Sequence, residues 1–281
     1  MTFAWGERTY VMGILNVTPD SFSGDGVLRQ ADVIAAAVAQ AQAFAAAGAD
    51  ILDIGGQSTR PGSTPVAPEM EVARILPALQ AIRQAVDLPI SIDSYWAKVA
   101  EAALAAGANW VNDVWGLRMD RALARLVAEA GCPVVLMHNR SQPRTAAEAT
   151  RLGDYLPAYE YSDLLSDVRQ ELNTSIELAL KSGIQPSQII VDPGIGFGKT
   201  VAQNLQLINR LDQIKALGYP VLLGTSRKGF IGRILDLPAT ERVEGTLATV
   251  VIGIDRGADI VRVHDVVATV RAARLTDQLV R

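Results

Sequence analysis

Cysteine and histidine are nearly absent from this chain: one cysteine and two histidines stand among 281 residues. The lone cysteine, Cys132, has no intramolecular partner, so the fold rests on noncovalent packing, and this usage fits a reducing compartment. Two histidines, His138 and His264, cannot supply the His-rich cluster of a metal phosphohydrolase, which removes that reading of His264-Asp265. No second motif cysteine and no serine elbow is present, so nucleophilic catalysis has no support. No apolar run reaches the ~18 residues of a membrane span, and the N-terminus carries no basic-then-apolar pattern. A net charge of −4 with scattered Lys and Arg lacks the basic face that nucleic acid requires. The expectation is a soluble cytoplasmic protein.

What is present is a set of short apolar runs, drawn from a 49% hydrophobic composition with 5% aromatics. Each run ends in a polar or charged residue. Asn16 follows 11–15, Asp53 follows 51–52, Asp93 follows 90–92 and Asn112 follows 110–111. His138 follows 134–137, Asp192 follows 189–191, Thr225 follows 221–224, and Arg262 with His264 closes the run from 260. Helical periodicity occupies 31–47, 69–86, 95–106, 121–130, 161–181, 200–217, 229–253 with a break near Pro238, and 266–280.

Short strands alternating with longer helices predict βαβ crossovers and a parallel sheet. Eight such units make this an α/β chain, a single-domain (β/α)8 TIM barrel over residues 1–281, with a doubly wound open sheet as the alternative. A weak repeat agrees: Ala47-Gly-Ala-Asp50, Ala106-Gly-Ala-Asn109 and Arg256-Gly-Ala-Asp259 each place a glycine where a helix ends in the left-handed conformation before a strand. In such a barrel the polar strand ends meet at one rim, where active sites lie. Asp53 and His138 are expected to support that rim rather than bind ligands. The long connections 18–30, 55–68 and 139–160 are expected to be binding loops.

The segment Asp192-Pro-Gly-Ile-Gly-Phe-Gly-Lys-Thr200 imitates two nucleotide motifs and satisfies neither. Only three residues separate Gly194 from Gly198, where a P-loop needs four, and the dinucleotide fingerprint fails by one position. The glycines instead suit close backbone approach to a flat ligand. Asn16 offers an amide oxygen suited to a hard cation such as Mg²⁺, and Arg60 stands on a Pro/Gly turn. Ser226-Arg-Lys-Gly229 and Arg262-Val-His264 gather cations and donors where α/β barrels hold phosphate. Asp93, Asn112 and Asp192 face inward at the rim, and a carboxylate aimed at the N–C–N edge of a 2-aminopyrimidinone ring makes two charge-assisted bonds.

From Tyr10 to Val270 the chain resembles the dihydropteroate synthase family. The resemblance rests on Gly13-Ile-Leu-Asn-Val-Thr-Pro-Asp-Ser-Phe-Ser23, Gly55-Gly-Gln-Ser-Thr-Arg-Pro-Gly62, Ile92-Asp-Ser94, Val111-Asn-Asp113, Asp192-Pro-Gly-Ile-Gly-Phe-Gly198, Thr225-Ser-Arg-Lys228 and Arg262-Val-His-Asp265. It implies condensation of 6-hydroxymethyl-7,8-dihydropterin pyrophosphate with 4-aminobenzoate, yielding 7,8-dihydropteroate and pyrophosphate. By position it implies that Asp93, Asn112, Asp192 and Lys228 hold the pterin, with Met137 and Phe197 lining the pocket. It further implies Mg²⁺ at Asn16, pyrophosphate at Arg262, His264 and Thr59, and an aminobenzoate site shaped by Arg60, Pro61 and Ser226 under a loop carrying Asp20.

The implied catalytic residues are Asp20, Lys228, Arg262 and His264, in a homodimer. Gln57 departs from the family's usual Glu, Ser23-Gly-Asp-Gly26 varies its usual Ser-Asp-Gly-Gly, and residues 139–160 match poorly. The alternatives are a non-catalytic pterin-binding barrel and a methyltetrahydrofolate-dependent methyltransferase.

Overall fold

A computed structural model describes residues 3–17, 30–57, 66–141 and 159–281. The strands are β1 (Tyr10–Asn16), β2 (Ile51–Gly55), β3 (Ile90–Asp93), β4 (Trp110–Asp113), β5 (Val134–Met137), β6 (Ile189–Asp192), β7 (Leu222–Leu223) and β8 (Ile260–Val263). The helices are α1 (Gln30–Ala47), α2 (Pro68–Ala85), α3 (Ala97–Ala105), α4 (Arg121–Ala130), α5 (Leu164–Lys181), α6 (Val201–Asn209), α7 (Asp212–Lys215), α8 (Gly229–Leu235), α9 (Val243–Asp255) and α10 (Val266–Val280).

The strands form one parallel sheet in the order β6-β5-β4-β3-β2-β1-β8-β7. A bridge between Val191 and Val221 joins its two ends, and Val191 N–H donates to Pro220 O at 2.9 Å. The sheet is therefore a closed (β/α)8 barrel, and the open doubly wound alternative falls. β7 is only two residues long; Val221 just before it bridges Val191 of β6 while its carbonyl accepts from Ile260 N–H at 3.0 Å.

Alternation along the strands makes two cores. Tyr10, Met12, Ile51, Trp110, Val135, Ile190, Leu222 and Ile260 face inward and fill the lower barrel, with Phe3 and Trp5 stacked at 5.1 Å against its base. Burying each such side chain contributes about 1.5–3 kcal/mol. The opposite faces, among them Leu52, Ile54, Ile92, Val111 and Val261, pack under the helices in a second cluster. Polar groups are thereby left the upper end of the interior.

One helical expectation needs correction, and the break expected near Pro238 is present. The stretch 200–217 is two helices, α6 and α7, because Arg210 leaves helical geometry and the chain turns there to bury Leu211 completely. The stretch 229–253 divides into α8, a 3₁₀ turn at Ala239–Glu241 and α9, with Asp236 left-handed just ahead of Pro238. Gly48, Gly107 and Gly257 of the repeat have φ of 91°, 103° and 100°, as their positions predict.

The acid or amide two residues after each of these glycines has its own task. Asp50 accepts from Val11 N–H at 2.8 Å, Asn109 from Ile90 N–H at 3.0 Å and Asp259 from Val221 N–H at 2.8 Å. Each thus satisfies a backbone donor at the start of a neighbouring strand, where the ladder has no partner for it.

Candidate active site

The register sets the upper rim. Asn16 pairs with Gly55, Gly55 with Asp93 and Asp93 with Asn112, while Met137 lies beside Asp192. Asp53 is two residues below the end of β2, fully buried. Arg262 crosses from β8 and donates from Nε to Asp53 Oδ2 and from Nη2 to Asp93 Oδ2, both at 2.6 Å. Asn112 Nδ2 donates to the same Asp53 oxygen at 3.0 Å. Asp53 therefore fixes two rim residues from beneath. Burial raises Asp93 to about 7, against the pull of the Arg262 charge, and the two acids hold Arg262 firmly protonated.

Asp192 is reached by backbone and by cation. Its Oδ1 accepts from Gly194 N–H at 2.6 Å. A Cβ placed on Gly224 would stand 3.9 Å from both Asp192 Oδ2 and Lys228 Nζ, so the bare glycine leaves the space between them open. Lys228 Nζ also donates to Ile195 O and lies 4.8 Å over the Phe197 ring. Burial lowers Lys228 to about 8, with Asp192 the main opposing charge, and raises Asp192 against the pull of Lys228. Met137 packs with Tyr95 and Val114, flanked by Trp96, Trp115 and Phe197. This apolar wall faces a row of hydrogen-bonding groups, which suits a flat ring with one polar edge.

The other rim residues form a second group. Ser226 Oγ lies 2.9 Å from His264 Nδ1 and accepts from His264 N–H at 3.1 Å. Arg227 between them and Lys228 has a left-handed φ of 57°. Its backbone N–H donates to Thr246 Oγ1 at 3.0 Å, and its guanidinium grips Asp265 through Nε at 2.9 Å and Nη2 at 2.5 Å. These bonds hold a conformation that non-glycine residues resist, and it sends Ser226 and Lys228 to opposite parts of the mouth.

Asp20, Thr59, Arg60 and Pro61 lie outside the described residues, as do the varied segment 23–26 and most of 139–160. Gln57, in the place of the family's Glu, donates to Tyr95 Oη at 3.5 Å. Among the described residues no group of three or more His, Cys, Asp or Glu forms a metal cage. Asn16 nevertheless ends β1 on the inward face beside Gly55. That single neutral oxygen fits Mg²⁺, which commonly keeps several waters and takes its remaining ligands from substrate phosphates. Sequence reasoning gave no role to Tyr95, Trp115 or Lys199; the first two are ordinary-looking aromatics in helix-leading turns, and Lys199 was visible only as the end of a failed nucleotide motif.

Glu71 of α2 is 1% exposed beneath the rim, and one of its oxygens has no hydrogen-bond partner. Burial raises it from 4.5 to about 7. A carboxyl raised in the folded state contributes stability below its unfolded pKa that is lost as pH climbs through the folded value. Glu71→Gln is neutral throughout, so its stability relative to the parent should improve by about 2–3 kcal/mol between pH 4.5 and pH 8. Thermal unfolding at the two pH values checks this; a constant difference contradicts it.

The closed barrel, its acid-lined rim and its apolar wall define an enzyme of the pterin-binding class, and the family described as pterin binding enzyme matches residues 12–264. A dihydropteroate synthase of Clostridium beijerinckii is 49% identical over 280 residues, covering 99% of this chain and 97% of that one. The solved dihydropteroate synthase of Clostridium difficile, determined in the presence of pteroic acid, superposes with a TM-score of 0.90 at 44% identity over 100% of both chains. That of Xanthomonas albilineans, with 4-aminobenzoic acid, gives 0.87 at 41% identity, covering 97% of this chain and 93% of that one. The chain belongs to the dihydropteroate synthase family, whose members are transferases.

Proposed function

We propose that this chain joins 6-hydroxymethyl-7,8-dihydropterin pyrophosphate to 4-aminobenzoate, releasing pyrophosphate and forming 7,8-dihydropteroate. The observation that carries this reading is the convergence of Asp93, Asn112 and Asp192 from three strand ends, with Lys228 from the start of α8, opposite the Met137 and Phe197 wall. Carboxylates at Asp192 and Asp93 accept from the amino-pyrimidinone edge, while Asn112 and Lys228 complete the polar side. Arg262, His264 and Ser226 stand toward the leaving group, and Thr59 is assigned there by position. Arg60 and Pro61 shape the aminobenzoate site with Ser226, under the loop that carries Asp20.

Fixed positive charge at Arg262 stabilises the charge that develops on departing pyrophosphate. The electron-rich pterin tolerates positive charge at its exocyclic carbon, so departure runs ahead of attack. The aryl amine is neutral near pH 7 and needs no strong base, which suits a site with one rim histidine. Mg²⁺ held at Asn16 supplies further neutralisation of the diphosphate when bound.

Assembly as a homodimer is supported by the apolar surface of α6 and α9, where Leu205, Ile208, Ala248 and Ile252 line an open cavity and Leu205 and Ile252 remain exposed. Among the described residues no helix is long and apolar enough to cross a membrane. Cys132 is free and buried, in keeping with a cytoplasmic site of action.

The test is 4-aminobenzoate-stimulated pyrophosphate release with 7,8-dihydropteroate formed in equal amount. Binding of both substrates with Mg²⁺ and no turnover would overturn the reading. Within it, Asp192→Asn loses the charge-assisted contact and should weaken pterin binding by roughly 10–100-fold. Calorimetric titration measures this, and unchanged affinity removes Asp192 from the pterin site.

A further inference from the structure

Lys199 ends the glycine run and is 6% exposed. In its charged form it has three N–H donors, and three acceptors surround it. Gly194 O lies at 2.9 Å, Phe197 O at 3.1 Å and His138 Nδ1 at 3.0 Å. On the other side of the ring, Glu171 Oε2 stands 3.1 Å from His138 Nε2. A charged lysine only donates, so Nδ1 accepts from it and the ring hydrogen sits on Nε2, where the nearby Glu171 carboxylate favours it by charge although the contact is not aligned as a hydrogen bond. Glu171 is itself fixed by Arg140 at 2.5 Å. Burial lowers His138 to about 4, so the ring is neutral, and lowers Lys199 to about 7 against the pull of Asp192.

The segment that Lys199 ties down has little regular structure of its own. Gly194, Gly196 and Gly198 all have positive φ, at 68°, 85° and 64°. Such a backbone is costly to order, since glycine loses the most conformational freedom on folding. Yet it must present the Phe197 ring and the Ile195 carbonyl to Lys228. We propose that Lys199, oriented through His138 by Glu171, is a positioning residue that closes residues 194–197 and thereby sets the Phe197 and Lys228 side of the pterin site. This role rests on the pterin reading above.

The test compares steady-state kinetics of Lys199→Met, Glu171→Gln and Asp192→Asn in the full-length protein. Lys199→Met keeps the length and removes the donors, so KM for the dihydropterin pyrophosphate should rise roughly 10–100-fold while KM for 4-aminobenzoate stays within about twofold. Glu171→Gln, at the edge of the network, should raise the pterin KM alone by roughly 2–5-fold. A pterin KM within about twofold of the parent in both variants overturns the proposal, as does a parallel rise in both KM values, the signature of general loosening. If Lys199→Met fails to fold, Glu171→Gln decides by itself. If Asp192→Asn also leaves the pterin KM unmoved, the site assignment is wrong, and Lys199 has no pterin site to position.

Discussion

Arg262→Ala should lower kcat by roughly 100–1000-fold, the usual cost of removing one fixed donor from developing transition-state charge. The structure adds a second consequence. Arg262 neutralises two acids in the barrel interior, Asp53 with no exposed surface and Asp93 at 8%. Removing one partner of a buried ion pair costs about 3–5 kcal/mol, because the other charge is left without compensation. Asp93, already raised by burial, then loses the Arg262 charge that pulls it down and rises further. Since a raised carboxyl gives stability at low pH that is lost as pH climbs through the folded value, the variant should be weakest above pH 7 and recover toward pH 5. Steady-state kinetics and thermal unfolding over that range separate the effects. A stability loss without a kcat loss would mean that Arg262 serves only the fold.

Gly194→Ala should destabilise by more than about 4 kcal/mol, corresponding to a fall of roughly 8–16 °C in Tm. A Cβ on Gly194 would stand 1.8 Å from His138 O, a backbone atom that cannot rotate away. Relieving the clash would pull one of the two segments off Asp192, since His138 N–H donates to Asp192 O at 2.9 Å and Gly194 N–H to Asp192 Oδ1 at 2.6 Å. Pterin binding should be lost with it. Gly131→Ala isolates the steric part, because Gly131 has a similar φ of 65° but nothing within 4 Å of its would-be Cβ. That variant should lose only about 1–2 kcal/mol, from the left-handed conformation. Equal losses at the two positions would show that backbone conformation, and not the His138 carbonyl, makes Gly194 necessary.

The eight strands were legible because their apolar runs are short and end in polar residues, although of the run 221–224 only Leu222 and Leu223 pair regularly as β7. The break between α6 and α7 was not legible, since nothing at Arg210 resembles glycine or proline. At the site, Asp93, Asn112 and Asp192 could be named from position on a strand. That Asp53 sits below the end of β2 could not, because its run continues through Ile54 to Gly55. The Arg262 contacts with Asp53 and Asp93 span 209 and 169 residues, a distance over which periodicity says nothing. Lys199 stayed hidden in part for the same reason: two of its acceptors, Gly194 O and Phe197 O, are local, but His138 reaches it only when β5 and β6 lie side by side.

The central claim is that the pterin ring and the diphosphate are held by different rim residues. Calorimetry with 6-hydroxymethyl-7,8-dihydropterin and with its pyrophosphate, on Asp192→Asn and Arg262→Ala, tests it most directly. Asp192→Asn should weaken both ligands alike, and Arg262→Ala should weaken the pyrophosphorylated ligand by at least roughly tenfold more than the bare pterin. Equal losses for both ligands in Arg262→Ala would contradict the division of the rim.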